Sequence, residues 1–185
     1  VWHYLENKLN ILEKKYTLLH KAPELSYYEK LSKCKNLTYV AGDKMVSGYS
    51  NQKGIINMDL TDLNFETNFF DLIICNHVLE HIQDDKKAIF EMFRVLKKGG
   101  KAVITVPINE KLNSTYEDSS ITKASERIKH FGQWDHVRWY GLDIKDRISK
   151  VGFNVEMNRY SNNFSKKDYI RYGFSDSLII IANKS

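Results

Sequence analysis

The sequence predicts an α/β fold with a mostly parallel central sheet, and two observations carry that prediction. First, FDLIIC (70–75) and KAVITVP (101–107) are continuous apolar runs rich in β-branched residues, as expected of strands covered on both faces. Between them Ala88, Ile89, Met92, Phe93, Val95 and Leu96 mark one face of a helix. Second, the alternation continues along the chain in the order β-α-β-β-β-α-β-(insert)-α-β-β, the pattern of a sheet sandwiched between helices. Crossovers between its parallel strands are right-handed.

Each element has a local reason. Leu5, Leu9 and Leu12 recur at helical spacing, so an N-terminal helix is expected within 1–15. YTLLH (16–20) is a short apolar run ending at KAPE. Pro23 suits the first turn of a helix and Glu24 suits its dipole, so a helix is read from Pro23 to Cys34. NLTYVAG then reads as a strand ending at Asp43. A polar loop, SGYSNQKG (47–54), leads to a short strand, GIINM, ending at Asp59. Asp84 and Asp85 stand where a helix N-cap belongs, and Gly99-Gly100 is read as closing that helix. Leu142 to Val151 reads as a helix ended by Gly152, followed by strands FNVEM and SLIIIAN. Residues 108–140 lack periodicity and are too long for a simple connection, so they read as a lid or substrate-binding insertion with some helix of its own. At 185 residues the chain is read as one domain, 1–185.

Composition narrows the function classes. The net charge is +5, but the lysines are scattered over solvated helix faces. No basic stripe interleaves with aromatics as a nucleic-acid surface would require. Two cysteines without a CxxC argue against a disulfide scaffold or structural zinc, and fit a reducing, cytoplasmic setting. No apolar run approaches the ~20 residues of a membrane span, and no signal-peptide pattern is present. The chain opens on Val1, which is compatible with a piece of a longer protein.

Ligands in such sheets bind beyond the carboxyl ends of the strands, so His20 to Glu24, Asp43, Asp59 and Asn76 to His81 are the residues to watch. A carboxylate after the second strand can accept both hydroxyls of a ribose, and one after the third would lie beside a base. The plainer alternative is that Asp43 and Asp59 cap turns. His77, Glu80 and His81 have i, i+3, i+4 spacing, the pattern of a metal half-site with His136 as a distant fourth ligand. In WDHVRWYG (134–141), a His and an Arg between tryptophans suit a polar acceptor. His136 is the first candidate to remove its proton, ahead of His77 and His130. The alternative there is a structural corner of Asp135, His136 and Arg138.

The phrases DLTDLNFETNFFDLIICNHVLEHI and EMFRVLKKGGKAVITVP together resemble class I S-adenosylmethionine-dependent methyltransferases. The nearest likeness is to the small ubiquinone- and menaquinone-type and sugar-modifying members. The resemblance covers 16–107 and 142–183. It implies a Rossmann-like, seven-stranded, mostly parallel sheet with helices on both faces and a closing antiparallel strand. It also implies S-adenosyl-L-methionine as cofactor, and methyl transfer to a small-molecule or sugar-linked hydroxyl or amine. By the same resemblance His20, Ala22, Pro23 and Glu24 would line the methionine end and Asp43 the ribose. Asp59 and Leu60 would meet the adenine edge, and Asn76 and His77 would close over the sulfonium. His81, Arg138 and Tyr140 would contact the acceptor, with His136 catalytic. The VLEHI phrase is common in members that bind no metal, so none is expected.

One motif departs. The family usually has an acid and Gly-x-Gly after the first strand, letting the backbone approach the cofactor. Here the words are LLHKAPE, with no glycine before Gly42. A variant subgroup with His-x-Ala-Pro-Glu is similar, and in that reading Glu24 takes over toward the cofactor's ammonium. A degenerate, non-catalytic scaffold domain is the alternative. A nicotinamide enzyme would need Gly-x-Gly-x-x-Gly after the first strand, and nothing supplies it.

Overall fold

A computed structural model describes residues 1–44 and 54–185. Seven strands form one sheet: β1 (Tyr16–Lys21), β2 (Leu37–Asp43), β3 (Ile55–Asn57), β4 (Phe70–Asn76), β5 (Leu96–Thr105), β8 (Phe153–Asn158) and β9 (Ile179–Lys184). Their spatial order is β3-β2-β1-β4-β5-β9-β8. β1 to β5 pair in parallel, and β9 runs antiparallel to both its neighbours, β5 and β8. This is the fold the sequence predicts, including the closing antiparallel strand. Among the described residues, no helix is long and apolar enough to cross a membrane.

The continuous apolar runs are explained by two-sided burial. Successive side chains of a strand point to opposite faces. Ile73 and Cys75 of β4 join a core with Ala88, Ile89, Met92 and Val95 of α3 (Asp85–Val95) and with Ile144 and Ile148 of α5 (Ile144–Ser149). Leu72 and Ile74 join a second core with Leu5 of α1 (Trp2–Asn7), with Leu9 and Ile11, and with Leu31 of α2 (Leu25–Leu31). Each large side chain so buried contributes about 1.5–3 kcal/mol. α3 starts where the aspartates predict, with Asp84 Oδ1 accepting the Lys87 N–H at 3.0 Å, a cap of about 1 kcal/mol.

Several boundaries differ from expectation. α1 stops at Asn7, and Asn10 takes a left-handed φ of 50° in the turn that follows. Gly99-Gly100 does not close α3. The helix ends at Val95 and β5 begins at once, with the glycines inside the strand beside a register shift against β4. The insertion folds as β6 (Tyr116–Glu117), α4 (Ala124–Phe131) and β7 (Arg138–Trp139), with β6 and β7 antiparallel. Between β8 and β9 lie a 3₁₀ turn (Tyr160–Asn163) and α6 (Lys166–Tyr172), for which the sequence reading had no element. The loop read at 47–54 falls, except for Gly54, outside the described residues.

Candidate functional site

Because β1 to β5 are parallel, their carboxyl ends meet along one edge of the sheet, and two cavities open there. The larger, about 670 Å³, is lined by Ala22, Asp43, Asp59, Leu60 and Val78, and by Arg127, Trp134 and Asp135 of the insertion. The smaller, about 380 Å³, is lined by Glu24, Asn76 and Thr105, by Trp2 and Tyr27, and by Tyr160, Ser161 and Phe174. His77 lines both.

The turn after β1 has the conformation a glycine would take. Ala22 sits at φ 48°, a left-handed state that costs an L-residue roughly 1–2 kcal/mol. Its N–H continues the ladder to Gly42 O at 2.8 Å. Gly42 is required in turn, because a Cβ there would lie 2.5 Å from the Met58 side chain. The adjoining side chains form a chain of hydrogen bonds. His20 Nδ1 meets Tyr39 Oη at 2.9 Å, and His20 Nε2 meets Glu24 Oε2 at 3.1 Å. Asn76 Nδ2 donates to Glu24 Oε1 at 2.9 Å, and Thr105 Oγ1 donates to Asn76 Oδ1 at 3.1 Å. Burial pushes the Glu24 carboxyl up, but hydrogen bonds from His20, its own backbone and Asn76 together hold it below the usual value. Glu24 stands at the N-cap of α2 without capping it. Its carboxylate is spent on the site instead.

Asp43 Oδ1 accepts from Lys21 Nζ at 2.7 Å, and Lys21 itself is buried. Asp59 both lines the larger cavity and holds its own turn. Oδ1 accepts from the Thr61 N–H and Oγ1 at 2.9 and 2.8 Å, and Oδ2 pairs with Lys44 Nζ at 2.7 Å. The Lys44 contact, opposed by partial burial and helped by Thr61, lowers the Asp59 carboxyl to about 2. Beyond that turn, Glu91 Oε2 accepts the Leu63 N–H while Arg94 donates to the Leu63 and Phe65 carbonyls. The sign of the pH effect follows from the depressed value. The stabilisation from Asp59 is complete above the unfolded carboxylate pKa of about 3.9 and disappears as pH falls toward 2. We therefore expect urea unfolding of Asp59→Asn to show a smaller loss of stability between pH 5 and pH 2–3 (about the span of the two pKa values) than the native chain. Equal acid sensitivity would contradict this account of the turn.

After β4 the backbone turns sharply. His77 is left-handed at φ 50° and its N–H donates to Thr105 O at 2.8 Å. A 3₁₀ turn (Leu79–His81) follows. His77 Nδ1 lies 3.4 Å from Glu80 Oε1, short of a good hydrogen bond but close enough that the carboxylate raises His77 above the ordinary imidazole value. The His81 ring packs edge-on against His136 at 4.8 Å, and its Nδ1 pairs with Asp135 Oδ2 at 3.2 Å. The Val137 N–H donates to Glu80 O at 2.9 Å, tying the insertion to this turn. Arg138 Nε bonds Glu117 Oε2 at 2.9 Å, and its other nitrogens donate to the carbonyls of Leu79, Ile82 and Gln83. Tyr140 Oη donates to Asp85 Oδ2 at 2.8 Å, and Arg147 bonds the same oxygen at 3.0 Å.

Of the residues the resemblance assigns to the cofactor, Ala22, Asp43, Asp59, Leu60 and His77 line the larger cavity, and Glu24, Asn76 and His77 the smaller. His20 and Pro23 line neither. His20 is wholly buried and acts on the site only through Glu24. On the acceptor side, His81 lines the larger cavity. Arg138 and Tyr140 are corrected: both are buried with their polar atoms committed to protein partners, so they anchor the insertion, as the structural-corner alternative held for Arg138. His136 lines neither cavity, being buried behind His81 with Nδ1 on Phe131 O at 3.0 Å. Sequence reasoning missed Thr105, the last residue of β5 within KAVITVP, which the strand-end rule could have found. It also missed the wall of Tyr160, Ser161 and Phe174, signalled only by dense aromatics between β8 and β9.

Residues 27–104 match the family model of the methyltransferase domain. The chain has the class I methyltransferase fold. A crystal structure of an S-adenosylmethionine-dependent methyltransferase from Mesorhizobium loti superposes with a TM-score of 0.65 at 11% identity, covering 97% of each chain. Another, from Archaeoglobus fulgidus, gives 0.64 at 14% identity, covering 98% of this chain and 92% of that one. In sequence, the ubiquinone/menaquinone biosynthesis C-methyltransferase of Vibrio cholerae is 34% identical over 77 residues, 40% of this chain. The match spans only 30% of that enzyme's length.

Proposed function

We propose that this chain transfers a methyl group from S-adenosylmethionine to a small-molecule acceptor through a hydroxyl or amine, sugar-linked acceptors included. One observation carries the reading. Carboxylates stand at successive strand ends around two cavities that share His77, on a domain matched as a methyltransferase.

The donor set suits the cofactor. Glu24 is held ionised beside the smaller cavity, where it can meet an ammonium. Asp43, at the end of β2, has a half-exposed carboxylate free to accept from a ribose diol. Leu60, Val78 and Ile82 offer an apolar bed for a base, with Asp59 at its edge. The glycine-like turn at Ala22 keeps the backbone path that the missing glycines usually allow. When bound, the cofactor supplies an electrophilic methyl on its sulfonium. The chain's own contribution is then orientation and exclusion of water, with His77 at the seam of the two cavities.

The smaller cavity fits an acceptor of modest size. Its rings, from Trp2, Tyr27, Tyr160 and Phe174, provide flat apolar faces. Glu6 provides an acceptor for a hydroxyl or ammonium group. The buried Ser161 hydroxyl on its wall has no protein hydrogen-bond partner, which a ligand would supply.

Calorimetric titration with S-adenosylmethionine and S-adenosylhomocysteine tests the reading. Binding is expected at micromolar levels, about −8 kcal/mol. Failure of both ligands to bind at millimolar concentration would overturn it and favour the scaffold alternative.

A further inference from the structure

Glu80 is the least satisfied charged group among the described residues. Its side chain is 2% exposed, and neither carboxylate oxygen has a hydrogen-bond partner. A buried carboxylate without partners is costly, and the nearest counter-charge, His77 Nδ1 at 3.4 Å, approaches one oxygen only. His81 and His136 flank it. Glu80, His81 and His136 each offer a ligand atom, all within 4.8 Å of one another.

The two imidazoles are prepared as metal ligands. In each ring Nδ1 is already engaged, by the Asp135 carboxylate in His81 and by the Phe131 carbonyl in His136. In His136 donation from Nδ1–H to the Phe131 carbonyl leaves the Nε2 lone pair free, and in His81 the Asp135 carboxylate, 3.2 Å from Nδ1, favours a proton on the same nitrogen; this is the outer-shell arrangement of metal-bound histidines. Metal bonds of about 2.0–2.2 Å in tetrahedral geometry put ligand atoms roughly 3.3–3.6 Å apart. Side-chain adjustments of about 1 Å would therefore close the three atoms around an ion.

We propose that Glu80, His81 and His136 bind one divalent transition-metal ion of the zinc or cobalt kind. Two imidazoles and one carboxylate suit such borderline cations better than magnesium or calcium. Three protein ligands leave a coordination position open, as in sites that engage a ligand. His81 lines the larger cavity, so the site borders it and can take an oxygen donor of a molecule held there. That last role rests on the methyl-transfer reading. The metal site itself does not, and its test reads no turnover.

The test is titration of the metal-free chain with Co²⁺, followed by visible absorption and by thermal unfolding. One equivalent is expected to bind with a ligand-field band and a rise in Tm. Glu80→Gln, close to isosteric, should fold about as well without metal, because it removes a buried carboxylate with no hydrogen-bond partner, yet give neither the band nor the rise. Asp135→Asn should weaken binding about 10- to 100-fold. The proposal is overturned if Co²⁺ does not bind stoichiometrically, or if Glu80→Gln and His81→Ala bind it as the native chain does. Loss of metal binding with unchanged S-adenosylhomocysteine affinity would separate this site from the cofactor reading.

Discussion

Arg138→Ala will cost about 3–5 kcal/mol of folding stability, the scale of breaking a buried, hydrogen-bonded charge pair. For a chain of this length that lowers Tm by roughly 10 °C. The cost does not come from the ion pair alone. Glu117 keeps Arg147 at 2.6 Å, and Asp85 keeps both Arg147 and Tyr140. What loses its partner is backbone: the carbonyls of Ile82 and Gln83, which the guanidinium gathers with that of Leu79 into one cap over the 3₁₀ turn, Leu79 alone keeping Tyr140 Oη and the Ile82 N–H. Lysine cannot replace it, because an ammonium lacks the planar fork that reaches all three together with Glu117. Arg138→Lys should therefore recover only part of the loss. Urea unfolding of the two variants checks this. A loss below about 1 kcal/mol in Arg138→Ala, the range of an exposed pair, would show that solvent satisfies those carbonyls. Ile82 and Gln83 also line the larger cavity, so the same variant should bind S-adenosylhomocysteine more weakly.

The Arg138 network shows what a sequence conceals. The pattern WDHVRWYG draws attention because a His and an Arg between tryptophans look like a recognition site. Burial decides otherwise, and burial depends on where residues 79–83 and 117 come to lie, up to 59 residues away along the chain. The sheet was legible because its signal is local: short continuous runs rich in β-branched residues are the pattern of strands covered on two faces, and the polar residues after them stand at the edge where the cavities open. Asp43, Asp59, Asn76 and His77 stand out that way, and all four line the cavities at that edge. α6 and the aromatic wall around Tyr160 were not, since α6 buries none of its residues and so carries no apolar stripe to read. Glu80 was visible only as a spacing. That its carboxylate has no hydrogen-bond partner is a property of packing that no pattern encodes.

Asp43→Ala should weaken S-adenosylmethionine binding by about 1.5–3 kcal/mol, the scale of hydrogen bonds to a charged group, or roughly 10- to 150-fold. The variant carries a second cost that must be kept apart from the first. Lys21 is buried, and Asp43 is the carboxylate its ammonium reaches, at 2.7 Å. Alanine therefore strands a buried cation, and part of any lost affinity would reflect a loosened β1–β2 edge. Two companions resolve this. Asp43→Asn leaves Lys21 an oxygen to donate to, but removes the charge and half of the acceptor capacity facing the cavity. Lys21→Met removes the stranded cation and leaves the carboxylate with the Lys44 N–H, at 2.7 Å on Oδ1, as its remaining donor. If the carboxylate serves the ribose, Asp43→Asn loses most of the affinity with little loss of stability, while Lys21→Met keeps it. If the carboxylate serves only Lys21, Asp43→Asn binds normally, and the double variant Lys21→Met/Asp43→Ala binds as well as the native chain. Calorimetry on the three single variants and the double, with urea unfolding of each, distinguishes the two. The second pattern would remove Asp43 from the cofactor site and leave Glu24 and Asp59 as its acids.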